Sequence, residues 1–337
     1  MKISPRFDDP LRDARLAVQH GQFRDAVDRL AALGSRFETS PEWMLLMSMA
    51  QWRLGDFAAS HHLAHLARIE YRSIGDTDGE MRAQNVAAAG AFARGQLLDA
   101  RAGFEHAAYL ARQLSDTLMM ARCTNNIGNV DFYLGNNADA LVLYANATNL
   151  FEHSRSLRGI AEAWHNTGIV WREEGDYPTA RKATDQAMDA AERLGDGRLV
   201  AQTFAGRGET AARMGDTRLG EAEATRALNL AREHDDRLTE CHALRVLGLI
   251  ARKNGEHDYA LRFGRSALDV AINVQNRWMT AKAREELGES LVAAGQPSEA
   301  RVEYAAAAEA YGEMGAHARA DRLYRHLDGL SGESHSL

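Results

Sequence analysis

Residues whose types and spacing could do chemistry fall into three groups. His61 and His65 stand four apart in a run that includes His62. On a helix that spacing puts both imidazoles on one face, where they could chelate a transition metal. No acidic residue stands beside them, so surface or packing histidines are the simpler reading. Asp131 with His165, or the adjacent Glu173 and Glu174, could be assembled into an acid–base pair. Nothing in their spacing favours that over surface charge. No nucleophile elbow, phosphate loop, HExxH or dinucleotide fingerprint occurs. The third group is the richest. Arginine, asparagine and histidine recur at positions one helical turn apart: Arg82 and Asn85; Arg122, Asn125, Asn126 and Asn129; His165, Asn166 and Arg172; Gln202; His242, Arg245 and Arg252. An asparagine amide both donates and accepts, which suits the unpaired backbone groups of an extended peptide. An arginine presents a fork to carboxylate or phosphate.

The elements that must position these side chains come from an internal repeat. Glycine recurs every 40 residues at Gly55, Gly95, Gly135, Gly175, Gly215, Gly255 and Gly295. The following residue is Asp56, Gln96, Asn136, Asp176, Asp216, Glu256 or Gln296. Five after the glycine stands a small residue: Ser60, Ala100, Ala140, Ala180, Gly220, Ala260 or Ala300. Seven before it stands another: Ser48, Ala88, Gly128, Gly168, Gly208, Gly248 or Gly288. A fourth column is alanine throughout, from Ala67 to Ala307. Glycine after an apolar-periodic run ends a helix in the left-handed conformation, the next polar residue can cap a second helix, and the small columns allow close approach. Each unit is therefore a helix hairpin. A second turn is visible at Gly75-Asp76, Ser115-Asp116, Gly195-Asp196, Asp235-Asp236 and Gln275-Asn276. Proline agrees, since Pro10, Pro41, Pro178 and Pro297 all fall in first turns and none interrupts a helix.

This pattern resembles the tetratricopeptide repeat (TPR). The repeats run 7–40, 41–80, 81–120, 121–160, 161–200, 201–240, 241–280 and 281–320, and the 40-residue form is similar to repeats of kinesin light chains, GoLoco-binding polarity adaptors and bacterial regulators of the maltose-activator type. The resemblance implies an all-α, right-handed solenoid of about eight antiparallel hairpins. A capping helix is expected over about 317–328 and a disordered tail over 331–337. It also implies that the first helix of each pair lines a concave groove. Positions 2, 5, 9 and 12 of each unit, with position 6 alongside, then carry the Arg/Asn/His stripe into that groove. Arg82, Asn85, Arg122, Asn125, Asn126, Asn129 and Asn166 are similar in type to the residues of carboxylate-clamp TPRs, although in a different order. Trp164 and Trp171, seven apart, read more simply as packing residues than as a pocket.

Composition sets the outer limits. The 337 residues carry 40 Lys+Arg against 47 Asp+Glu, a formal charge of −7, which argues against a general nucleic-acid binder. No stretch approaches the roughly 18 apolar residues of a spanning helix, and the first residues lack the apolar core of a signal peptide. The two cysteines, Cys123 and Cys241, have no metal or redox spacing and are expected as buried thiols in a cytoplasmic protein. The expected function is a non-enzymatic scaffold holding an extended peptide or partner segment, of acidic character, without cofactor, metal or direct nucleic acid. The alternative is a sensor whose array binds a signalling peptide or small molecule and acts through a partner. An enzyme using the groove as a pocket is the third reading.

Overall fold

The computed structural model describes residues 9–34 and 37–332, and every regular element among them is an α-helix. A short first pair, α1 (Arg12–Gln19) and α2 (Phe23–Ala32), is followed by longer ones. These are α3 (Pro41–Leu54) with α4 (Phe57–Ser73), α5 (Thr77–Ala93) with α6 (Leu97–Gln113), and α7 (Thr117–Leu134) with α8 (Asn137–His153). Next come α9 (Leu157–Glu173) with α10 (Tyr177–Leu194), α11 (Gly197–Arg213) with α12 (Thr217–Glu233), and α13 (Arg237–Lys253) with α14 (His257–Asn273). The pair α15 (Arg277–Ala293) and α16 (Pro297–Glu313) precedes a terminal α17 (His317–Gly332). The last helix continues past the expected end at 328 and takes in two residues of the expected tail. Residues 333–337 of that tail lie outside the described residues, as do residues 7 and 8 of the first repeat.

Each hairpin turn is made by the glycine column, whose φ runs from +72° at Gly295 to +97° at Gly215. The turns between hairpins obey the same rule at a second 40-residue column: Gly75, Ser115, Arg155, Gly195, Asp235, Gln275 and Gly315 all have positive φ. Four of these are not glycine, and one of them, Arg155, carries no signal in the sequence. The residue after this second column caps the next helix through its side chain in each case from Asp76 to Asn276, Ser156 included. In the first column only Asp56, Asp176 and Asp216 do so. Gln96, Asn136, Glu256 and Gln296 make no such bond; the longer Gln and Glu side chains are poor caps, and aspartate reaches the amide three residues on.

Helices pack on their chain neighbours, and the first helix of each pair also packs on the first helix of the next, as in a helical-repeat solenoid. The invariant alanine column, Ala67 through Ala307, is wholly buried. Small residues permit true backbone contact at α11 and α12, where a Cβ on Gly208 would lie 2.9 Å from the Gly220 carbonyl oxygen. Cys123 and Cys241 are buried and their thiols are pushed up to about 12 by burial, so neither is reactive. Trp43 is buried and its Nε1 donates to the Leu30 carbonyl at 2.9 Å. Trp164 and Trp171 are only half-buried and belong to none of the buried clusters, unlike the packing role expected of them.

The array also curves until distant inner faces touch across its bore. Tyr133 of α7 stacks on Trp278 of α15 with centroids 3.8 Å apart and planes 12° from parallel, and Phe92 of α5 stacks on Tyr133 at 4.7 Å. A Cβ on Gly95 would lie 2.7 Å from the Met314 side chain. One buried apolar cluster accordingly runs from Ala88 and Phe104 to Leu323, joining the third and fourth hairpins to the last ones.

The left-handed turns give a paired test by chemical denaturation. Gln275 sits at φ +53°, a conformation that costs a side-chain-bearing residue roughly 1–2 kcal/mol. Gln275→Gly should therefore raise the unfolding free energy, by up to about 1 kcal/mol after the added freedom of the unfolded chain. Gly255→Ala, at φ +78° with open space around it, should lower it by a similar amount. Shifts of the same sign in both would contradict the steric account.

Candidate functional site

The inner face is built from contacts that repeat with the same sequence offset. Position 5 of one unit meets position 6 of the next. Asn126 Nδ2 donates to Asn85 Oδ1 at 3.4 Å, and Asn166 Nδ2 donates to Asn125 Oδ1 at 3.2 Å, both 41 residues apart. Near the other end, Arg245 occupies the same place and grips Glu286 through two bonds of 2.8 and 2.6 Å, again 41 apart. The rung is amide to amide in the third, fourth and fifth hairpins and guanidinium to carboxylate in the seventh and eighth.

A second recurring contact comes from position 12. Arg172 Nη1 donates to the Gly206 carbonyl and the Thr210 hydroxyl at 3.4 and 3.5 Å, and Arg172 Nε lies 3.3 Å from Glu209. Arg252 repeats this at the equivalent places, reaching the Glu286 carbonyl, the Ser290 hydroxyl and Glu289. These arginines fasten one hairpin to the next.

The structure therefore redistributes the residues expected on the groove. Arg172, Arg245, Arg252 and His242 are engaged in inter-repeat pairs, His242 Nε2 lying 3.0 Å from Glu209 Oε2. His165 is 3% exposed and sits against His242, ring centroids 6.5 Å apart. A neighbouring unit thus offers Arg172, Arg245, Arg252 and His242 a partner that the sequence stripe alone does not reveal, whereas His165 Nδ1 is buried with no hydrogen-bond partner among the described residues. Arg82 is exposed and pairs along its own helix with Asp78 at 2.9 Å. Asn129 Oδ1 accepts from the Tyr144 hydroxyl at 2.8 Å within its hairpin. Gln202 is half-buried on α11. What remains together on one accessible surface is Asn85, Arg122, Asn126 and Asn166, with Asn125 buried behind them. Arg122 is exposed and makes no hydrogen bond or ion pair among the described residues.

The other candidates resolve differently. Asp131 is buried and held by Arg101, and Asn137 donates to Glu174 at 2.6 Å. His61 Nδ1 lies 2.8 Å from the Ala87 carbonyl, a packing contact, while His62 and His65 are exposed.

Sequence reasoning missed the closure of the bore. Glu173 of α9 lies 3.4 Å from Arg319 of α17 and 3.8 Å from Lys282 of α15. Burial alone would raise the Glu173 pKa, but Lys282 and Arg319 bring it down to about 2. Arg319 also lies over the Phe132 and Trp278 rings, at 5.1 and 5.0 Å. Burial pushes the Tyr133 phenol up to about 12, so it stays neutral. Ion pair, stack and cation–π contact make one clasp across the bore. The signal that could have found it was faint: Tyr133 and Trp278 fall beside the stripe, 145 residues apart, and only the superhelical pitch brings them together.

No protein-family profile matches the sequence, and no curated protein does. Solved structures do match in fold. A Rap protein complexed with Competence and Sporulation Factor superposes with a TM-score of 0.65 at 14% identity, over 96% of this chain and 97% of that one. NprR in complex with its cognate peptide NprX also gives 0.65 at 14% identity, over 98% and 100%. The apo form of the quorum sensor NprR from B. thuringiensis gives 0.54 at 15% identity, over 96% and 97%. The fold is thus a TPR-like helical solenoid.

Two measurements check these contacts. Burial first, then the Arg172 charge and the neighbouring His242 imidazole, hold His165 well below its usual 6.5, against an opposing pull from Glu209. His242 is also lowered, by burial first, with Arg245 and Arg172 assisting and Glu209 opposing. Both stay neutral when folded while the unfolded chain protonates near 6.5, so stability should fall as pH drops from about 6.5 toward 5. His165→Gln should flatten that slope; an unchanged slope would count against the assignment. Separately, Tyr133→Ala combined with Arg319→Ala should enlarge the radius of gyration in small-angle scattering with helix content unchanged. An identical scattering curve would show that the clasp does not hold the curvature.

Proposed function

We propose that this chain is a non-enzymatic peptide receptor that holds an extended segment along α5, α7 and α9 and passes its occupancy to a partner protein. The observation that carries the reading is the pair of asparagine rungs. Asn126 and Asn166 each commit a donor to the preceding unit, and their carbonyl oxygens accept no hydrogen bond from the described residues. Repeated at successive hairpins, such amides match the alternating donors and acceptors of an extended backbone. The corresponding rung at Arg245 and Glu286 is saturated and offers nothing comparable.

The comparisons support the signalling form of this reading over a passive scaffold. Two of the structures that share the fold over nearly their whole length are complexes, one with Competence and Sporulation Factor and one with a cognate peptide. The clasp gives such a receptor something to report with. It ties the middle of the array to its last helices, so a segment lying against α7 and α9 acts on the same helices that carry Tyr133 and Glu173.

The test is selection from a randomised heptapeptide library against the wild-type chain. Selected peptides should bind Asn126→Ala/Asn166→Ala at least about tenfold more weakly, since each lost bond of this kind is worth about 1 kcal/mol and two act together. Arg252→Ala, which breaks a fastening contact away from the rungs, should leave their affinity within a few-fold. A selection that yields nothing, or peptides indifferent to the asparagine pair, would sink the proposal.

A further inference from the structure

The first turns of α9 and α11, the second turn of α7 and the end of α3 bring four arginines to one mouth of the bore: Arg158, Arg198, Arg122 and Arg53. Only Arg158 has a carboxylate partner within ion-pair distance, Asp196. Asp196 is already engaged, since its other oxygen accepts from the Arg198 and Leu199 amides as the cap of α11. Arg53 and Arg198 are held by rings instead of carboxylates. Arg53 lies 5.0 Å from the Trp52 centroid and 5.9 Å from that of Phe23, and Arg198 approaches the same Phe23 ring at 5.6 Å. A ring face steadies a guanidinium without using its in-plane donors. Arg122 makes no hydrogen bond or ion pair among the described residues. Glu162 is a further carboxylate near them, and among the described residues it makes no ion pair within 4.0 Å. Positive charge is thus in excess here, although the whole chain carries −7.

We infer that this arginine mouth is the subsite for a carboxylate-bearing, acidic end of the bound peptide. The inference rests on the peptide-receptor reading and gives it a polarity. Arg122 and Asn126 are one turn apart on α7, and Glu162 and Asn166 one turn apart on α9, so the mouth continues directly into the asparagine rungs. The surroundings agree. Arg53 keeps solvent contact at the rim, yet it falls below its ordinary pKa. Desolvation by the surrounding protein is the first cause; Glu162 and Asp196 oppose it, while the neighbouring charges of Arg158 and Arg198 add to it, a crowding that an arriving anion would relieve. Glu162 is raised, through burial first, despite the opposing pull of Arg53, Arg158 and Arg122.

Calorimetry with two capped tetrapeptides, one of four glutamates and one of four glutamines, tests it at low salt. The tetraglutamate should bind the wild type about tenfold more tightly or better, and the difference should shrink as salt rises. Arg122→Gln/Arg198→Gln should bring the two peptides to parity while circular dichroism stays unchanged. Glu162→Gln, which removes the competing carboxylate, should strengthen binding of the tetraglutamate. The acidic assignment is overturned if the tetraglutamine binds as well as the tetraglutamate and both weaken in Asn126→Ala/Asn166→Ala, an outcome that leaves the groove reading standing. It is also overturned if Glu162→Gln weakens binding, or if a capped tetralysine control is preferred, either of which would make Glu162 the recognition group. If neither the acidic nor the amide peptide binds up to about 1 mM, the acidic subsite falls, and the library selection decides the groove reading separately.

Discussion

Almost every helix after α2 is stopped by a backbone that turns left-handed, and that steric event is the constraint on which the rest depends. It fixes the length of each unit, and with it the angular step between hairpins. Because the step never varies over the long hairpins, equivalent side chains meet at constant offsets. That is why an amide rung at Asn85 and Asn126 recurs at Asn125 and Asn166. It is also why Arg172 and Arg252 find the same three kinds of acceptor. A single insertion would have spoiled the register of the whole inner face.

Within that frame, the inner face divides by chemistry. The C-terminal half is cross-linked by buried or half-buried charges. Removing one partner of a pair such as Arg172 and Glu209 would leave an uncompensated charge in a protein interior, a defect worth about 3–5 kcal/mol. The N-terminal half is fastened by amides, which are weaker and keep unused capacity. Rigidity and receptivity thus belong to different stretches of the array, which meet on α9, the helix that carries both Asn166 and Arg172. The clasp couples them, since Glu173 and Tyr133 belong to the receptive side and Arg319 and Trp278 to the rigid one.

Much of this was legible in the sequence. The glycine column could be read as turns because only glycine tolerates positive φ cheaply, and it did so at all seven positions from Gly55 to Gly295. The second column was harder. Ser115, Asp235 and Gln275 were visible only through the aspartate or asparagine that follows, and Arg155 followed by Ser156 gave no signal. The stripe of Arg, Asn and His was correctly placed on first helices by helical spacing, but its members could not be sorted. Whether Arg172 is free or engaged depends on Glu209, which stands 37 residues on and is visible as a partner only once the hairpin step is known. The clasp and the arginine mouth were beyond reach, since they arise from pitch, a property of the whole array rather than of any segment.

Closure has a consequence for how such a chain can change over time. An ordinary solenoid is modular, and copying or losing a unit lengthens or shortens it without penalty to the others. Here residue 133 must face residue 278, and residue 173 must face residue 319. Losing one hairpin from the middle would aim Tyr133 and Glu173 at the wrong neighbours; gaining one would do the same. The number of hairpins is therefore as much a part of the architecture as their sequence, and the array behaves as a closed count rather than an open series.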